Sequence, residues 1–347
     1  MLKNKKLLIV FLVIILAAYP LILIGSQSIC ITPNRISFSP PLTKQSSYSI
    51  ITYDFNINSY KPFYSIPNRD KCHINGQFID PTGSKIAISE TCKFEYSKNK
   101  ANESQNYYLL DILDLNSKTE IISLKHASYN FSFSPDGNSI VYLTSYLGES
   151  DGLNPPIGFE SGIYIYNFTT KSQVNLDATK IQPEDINWSV HDNNIYIYNS
   201  YNKVFRYNMT TNKLELTRYK GIYFTPDGQY YSNMADEERI SQIYRVSDNT
   251  EMTDWEKKIA DSAKSTFTNL VFVSKKLNAF VFYFGMTSEG VTNIIFGTKQ
   301  GKVIGKFEGL VTGTDPDGNL VQIHPLKNDH SPDYGKIEII DLMKFKK

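Results

Sequence analysis

Short apolar runs with period-two alternation, each closed by a tight polar turn, cover most of the chain. FSFSPDGNSIVY begins at Phe131, and FIDPTGSKIAIS from Phe78, YFTPDGQYYSN from Tyr223 and GTDPDGNLVQIH from Gly313 repeat its design. Alternation on both sides of a compact centre predicts two antiparallel strands joined by a turn. In Ser134-Pro135-Asp136-Gly137 the serine can hydrogen-bond back to the chain and the proline presets φ. The glycine supplies the left-handed backbone with which a three-residue hairpin closes.

Aligning the runs on that last turn position gives Gly83, Gly137, Gly228 and Gly318. Two degenerate copies, NWSVHDNNIYIY and FVSKKLNAFVFYF, put Asp192 and Leu277 at the same place. Asp tolerates a left-handed backbone and Leu does not, so the turn near Leu277 is expected to have a different geometry. A second hairpin follows each first one: YYLLDILDLNSKTEIISL from Tyr107, IYIYNFTTKSQVNL from Ile163 and VFRYNMTTNKLELT from Val204. Weaker forms are QIYRVSDNTEMT from Gln242 and NIIFGTKQGKVIGKF from Asn293.

One unit is therefore a four-stranded meander of about 47 residues, which cannot cover both of its faces alone. Repeated units of that size predict an all-β fold, a β-propeller of stacked antiparallel sheets. Six first hairpins favour six blades. A lone hairpin, YSIITYDFNINSYKPFYSI (48–66), and a last single strand, KIEIIDLMKF, leave seven open. The ring would then close either with an N-terminal strand completing the final blade or with a composite seventh blade. The expected organisation is a hydrophobic N-terminal segment (1–30), a linker (31–47) and the propeller (48–347).

These units resemble the repeats of TolB-like β-propellers, whose blades carry aromatic-Ser-Pro-Asp-Gly-x-x-Ile-x-Phe/Tyr followed by Ile-Tyr-x-x-Asp. Phe133, Ser134, Pro135, Asp136, Gly137, Ile140 and Tyr142 fit best. Ile163 and Tyr164 match the next strand, with Asn167 near the family's Asp. The resemblance spans roughly residues 48–347 and implies binding and scaffolding surfaces, with some enzymes among such folds. It extends to prolyl-oligopeptidase-type enzymes, but the propeller leaves no residues here for their hydrolase domain.

Composition adds a compartment. MLKNKK precedes nineteen uncharged residues, Leu7 to Gly25, long enough to span a bilayer as a helix with the basic flank in the cytoplasm. That favours a membrane anchor with everything after Ser26 outside the cytoplasm; Ser26 and Ser28 leave a cleaved signal and secretion as the alternative. Ile29, before Cys30, argues against lipidation. Cys72 and Cys92 flank the first turn symmetrically, ten residues on either side of Thr82, which predicts a disulfide in an exported protein. The formal charge is only +1, and no basic stripe offers a nucleic-acid surface.

Chemistry is sparse. GFESG at Gly158 has Glu160 where a hydrolase elbow needs its nucleophile. A sialidase would show S-x-D-x-G turns. The five histidines have no metal-ligand spacing. Asp315, Asp317 and Asn319 alternate like a calcium loop but coincide with the repeated turn. Five glycosylation sequons occur, at Asn102, Asn130, Asn167, Asn187 and Asn208. No catalytic residue, metal or cofactor is expected.

The long connections all belong to one end of the blades: 65–76, 90–106, 144–161, 234–240, 252–267 and 327–335. Thr253 and Glu256 suggest a capping box for a short helix. Recognition concentrates on such loops. Tyr96, Tyr146, Phe159 and Tyr334 are the candidate aromatic anchors of a ligand-binding face. Glu160, Asp333 and Asp236 to Glu238 would be its acids, with Arg239 the nearest cation. The expected role is a non-enzymatic module binding a protein or peptide of the cell envelope. The alternative is a carbohydrate- or peptide-active hydrolase or lyase with dispersed acids and tyrosines.

Overall fold

The computed structural model describes residues 28–32, 35–39, 47–54, 59–67, 72–95, 104–145, 161–176, 181–233, 241–263, 269–284, 291–314, 317–330, 333 and 338–346. The apolar stretch 7–25, read as an anchor or signal, lies outside them. No described helix is long and apolar enough to cross a membrane.

The described strands form seven antiparallel sheets, each from consecutive strands. Sheet one contains β1 (Ser28–Thr32), β2 (Arg35–Ser39), β3 (Ser47–Asp54) and β4 (Ser59–Pro67). Sheet two contains β5 (Cys72–Ile79), β6 (Lys85–Glu95), β7 (Ser104–Asp114) and β8 (Thr119–Lys125). Sheet three contains β9 (Ala127–Phe133), β10 (Ser139–Thr144), β11 (Gly162–Asn167) and β12 (Ser172–Asn175). Sheet four contains β13 (Pro183–Trp188), β14 (Ile195–Asn199), β15 (Val204–Asn208) and β16 (Lys213–Leu216). Sheet five has three strands, β17 (Tyr223–Phe224), β18 (Tyr230–Ser232) and β19 (Ile243–Arg245), followed by helix α1 (Thr253–Ala263). Sheet six contains β20 (Asn269–Ser274), β21 (Ala279–Phe284), β22 (Thr292–Gly297) and β23 (Lys302–Glu308). Sheet seven contains β24 (Leu310–Thr314), β25 (Leu320–His324) and β26 (Glu338–Asp341) and ends in a short 3-10 helix, Leu342–Phe345.

Six sheets carry the repeated turn, and the expectation of six units counted those. Sheet one is additional. Residues 31–47, expected as linker, carry β2 and parts of β1 and β3. Among the described residues sheets one and seven share no strand. Strand β1 comes close to β5 and also to β24 and β25.

The middle strands bury both faces. In β10, Ile140 and Tyr142 pack with Ala87, Leu110 and Ile112 of sheet two, whereas Val141 and Leu143 pack with Ile186, Trp188, Ile195 and Ile197 of sheet four. Side-chain alternation along a strand produces this division. In β14, Tyr196 turns the other way, towards Phe224, Tyr231 and Tyr244 of sheet five. In β21, Phe280, Phe282 and Phe284 face sheet five and α1, while Ala279 and Val281 face Val321 and Ile323 of sheet seven. Each fully buried aliphatic or aromatic side chain contributes about 1.5–3 kcal/mol. The outermost β12 is exposed throughout.

Helix α1 replaces the missing fourth strand of sheet five. Only an isolated bridge, Tyr244 to Glu251, continues the expected hairpin. Trp255 and Ile259 are buried against Phe296, Tyr230 and Ile243. The Glu256 carboxylate accepts the Ile243 amide at 3.0 Å, so it ties the helix to β19.

The repeated turns explain their glycines twice over. Gly83, Gly137, Gly228 and Gly318 have φ of 72°, 68°, 65° and 62°. In the degenerate copies the left-handed residue is not Asp192 or Leu277 but the next one, Asn193 (φ 56°) or Asn278 (φ 48°). Asparagine is the side chain that best tolerates that region, so the chain shifts by one residue to use it. The second reason is contact between sheets. A Cβ on Gly137 would stand 2.2 Å from Asp80 Oδ2, and one on Gly228 would stand 2.0 Å from the His191 ring. Both turns press on the turn of the preceding sheet.

Gly228→Ala should therefore cost more than the ~1–2 kcal/mol of a left-handed backbone alone. Adding His191→Ala should recover the excess and leave the backbone part. Urea unfolding of the two single variants and the double variant measures this, and strict additivity would refute the contact.

Candidate functional site

Of the residues expected to form a ligand face, Tyr96, Tyr146, Phe159, Glu160 and Tyr334 lie outside the described residues, as do Asp236 to Arg239. Asp333 is described; it is half-buried and its amide donates to the Pro325 carbonyl at 2.7 Å. Cys72 and Cys92 stand opposite each other on β5 and β6 and are joined by a disulfide. Among the described residues, the group of possible metal ligands that converges is this pair with buried Glu90. Its two sulfurs are bonded to each other, so they offer no thiolate. Four sequon asparagines have structural tasks. Asn167 and Asn208 cap the second-hairpin turns by accepting the amides of Thr169 and Thr170, and of Thr210 and Thr211. Asn130 and Asn187 line a cavity.

That cavity, about 690 Å³, is lined by the first strands of four consecutive sheets: β5, β9, β13 and β17. Hydrogen bonds stitch these strands along its wall. Asn130 Nδ2 on β9 donates to the Glu184 carbonyl on β13 at 2.5 Å, and the Trp188 amide donates to Ser132 Oγ at 3.0 Å. From β13, Asn187 Nδ2 donates to the Ile222 carbonyl at 2.8 Å. From β17, Tyr223 Oη donates to Asp185 Oδ2 at 2.5 Å. A β-bulge in β13 between Pro183 and Asp185 breaks the alternation there, and both Glu184 and Asp185 line the space.

The aromatic side is β5 and β9. Phe78 is 53% exposed, although its position on a first strand places it at the cavity and not among solvent-facing residues of an outer strand. It meets Phe131 edge-to-face with ring centroids 5.1 Å apart. Burial pushes the Asp185 carboxyl up from its ordinary value, against the hydrogen bonds from Tyr223 and the Ile186 amide. Burial, joined by the Asp185 charge, pushes the Tyr223 hydroxyl well above its ordinary value, so it remains a proton donor.

Sequence reasoning placed none of these in a site, yet the repeat register marks them. Counting five residues back from the aligned turn position gives Phe78, Ser132, Asn187 and Tyr223, all of which line the cavity.

A scan against protein-family models finds no match, and no curated protein matches. Solved structures do. The β-propeller domain of the Trilobed protease from Pyrococcus furiosus, described as having an open velcro topology, superposes with a TM-score of 0.54 at 13% identity, covering 93% of this chain and 99% of that one. A prolyl endopeptidase structure gives 0.57 at 10% identity, over 93% of this chain and 48% of that one. TolB from Acinetobacter baumannii gives 0.44 at 15% identity, over 80% of this chain and 62% of TolB. The fold is that of a β-propeller.

Because ionisation of Asp185 is disfavoured in the folded chain, its contribution to stability is complete below the unfolded carboxylate pKa. That contribution is lost as pH rises through the raised folded value. Asp185→Asn should thus gain on the wild type as pH rises above the ordinary carboxylate value of about 4, keeping an acceptor for Tyr223. Urea midpoints measured upward from that pH test it; a gap that does not change with pH would contradict the assignment.

Proposed function

We propose that the seven sheets are blades of one ring around a central channel, and that the chain is a membrane-tethered, extracytoplasmic, non-enzymatic module. It would bind a protein or peptide of the cell envelope at the loop end of that channel, without a cofactor. The proximity of β1 to both β5 and β24 supports the ring. The lysine-flanked apolar stretch Leu7–Gly25 and the Cys72–Cys92 disulfide support export. The observation that carries the binding role is the cavity between the first strands. Its polar groups, Asn130, Ser132, Asn187 and Tyr223, are engaged in holding strands together rather than in a nucleophile–base relay. Tyr96, Tyr146, Phe159, Glu160, Asp333 and Tyr334 remain the proposed anchors on the surrounding loops.

A second reading has one observation in its favour. A carboxyl pushed up by burial inside a cavity, as at Asp185, is a common mark of an acid–base catalyst. It would make the chain a carbohydrate- or peptide-active hydrolase or lyase.

One experiment addresses both. The full chain, cross-linked in its own membranes, should retain an envelope protein that Phe78→Ala weakens, and purified full chain should turn over neither polysaccharides nor peptides. Turnover abolished by Asp185→Asn would replace the binding role with the catalytic one.

A further inference from the structure

The cavity has an uneven hydrogen-bonding character. Several of its side-chain donors are spent on the protein itself: Asn130 and Asn187 each donate once to a main-chain carbonyl, Tyr223 to Asp185, and Tyr198 to Asn202. The Ser132 hydroxyl accepts the Trp188 amide. Each asparagine keeps a second N–H and its carbonyl oxygen for a guest, and ionised carboxylates add acceptors alone. A carboxylate has about four lone-pair sites, and Asp185 uses one on each oxygen, for Tyr223 and for the Ile186 amide. Glu184 adds a second carboxylate on an exposed residue. Among the described residues lining the cavity there is no lysine, arginine or histidine. Phe78 and Phe131 present rings on the opposite strands, and their faces carry the negative end of the aromatic quadrupole.

Two carboxyl groups, amide oxygens, the exposed Phe78 ring beside half-buried Phe131 and, among the described residues, no cation make the site complementary to a positively charged hydrogen-bond donor on an apolar stem. We propose that this cavity takes an alkyl-ammonium or guanidinium group. Its stem lies along Phe78 and Phe131, and its charge is met by Asp185, Glu184 and the oxygens of Asn130 and Asn187. The same chemistry occurs in a lysine or arginine side chain of a peptide and in a free diamine. The inference rests on the binding role above and narrows it to one ligand class. It also gives the buried Asp185 carboxyl a partner, since an entering cation compensates the desolvation that disfavours its charge.

Titration calorimetry on the full chain tests this with three end-capped hexapeptides that differ only at a central lysine, norleucine or glutamate, and with cadaverine. The lysine peptide should bind at least about ten-fold more tightly than the norleucine peptide, with the glutamate peptide weakest. Asp185→Asn and Glu184→Gln should each erode that preference, with thermal unfolding followed in parallel. Glu184 is exposed, so its variant tests the charge even if Asp185→Asn lowers stability. Cadaverine as tight as the lysine peptide identifies a free amine as the source, and much weaker cadaverine identifies a peptide; both support the class. Equal affinity for lysine and norleucine, or no heat with the lysine peptide, overturns it. If the lysine peptide fails while the full chain still retains an envelope protein in its membranes, the ligand class falls and the binding role stands.

Discussion

A β-sheet with two apolar faces cannot exist beside only one neighbour, and that constraint organises this molecule. Alternate residues of β10, β14 and β21 feed two different hydrophobic clusters, so each of those sheets must be covered on both sides. Five clusters in succession link sheets two to seven in chain order. The pairing is selective in shape as well as polarity. Tyr196 meets an aromatic face in sheet five, whereas Ile195 and Ile197 meet aliphatic and Trp188 side chains shared with sheet three. Sliding or exchanging sheets would set large rings against faces built for small ones and open voids, which interiors tolerate poorly.

Stacking brings the first strands of sheets two to five around one cavity, and there the packing problem changes from apolar to polar. Neighbouring first strands are not paired in a ladder, so their backbone groups need other partners. Asn130, Ser132 and Asn187 supply them across the gaps between sheets, and Tyr223 adds a side-chain link to Asp185. The polar lining of the cavity is thus a by-product of assembly: side chains that hold strands with one hydrogen bond keep further hydrogen-bonding capacity for a guest. The turns show the same economy, because Gly137 and Gly228 serve backbone geometry and close approach to the previous sheet at once.

This division also explains what could be read in the sequence. The Ser134-Pro135-Asp136-Gly137 turn was legible because a left-handed backbone narrows the residue choice to glycine and few others. Where asparagine supplied it, alignment on Asp192 and Leu277 missed by one residue, since Asn193 and Asn278 lie just beyond. Half of sheet one was legible as the lone hairpin 48–66; its first two strands were not, because only two residues separate β1 from β2 and no Pro-Asp-Gly turn marks them. The disulfide pair was legible from symmetry about the turn, because register in a hairpin follows from loop length. The cavity was not, because Asn130, Glu184 and Asp185 look like ordinary strand polars until neighbouring sheets are set side by side. The residue five before each turn was available as a signal, but alternation alone does not say which edge of a sheet faces its neighbours.

The state of the Asp185–Tyr223 pair bears on binding against catalysis. A lyase that abstracts a proton through tyrosine needs that hydroxyl lowered towards neutrality. Burial and the adjacent carboxyl move Tyr223 the other way. Asp185 moves in a useful direction for an acid or base, but each of its oxygens already accepts a hydrogen bond from the protein. The second lone pair of each oxygen is open to a proton or to a cation with both bonds in place. What separates the two roles is the Tyr223 hydroxyl, which is held as a donor and not as a base.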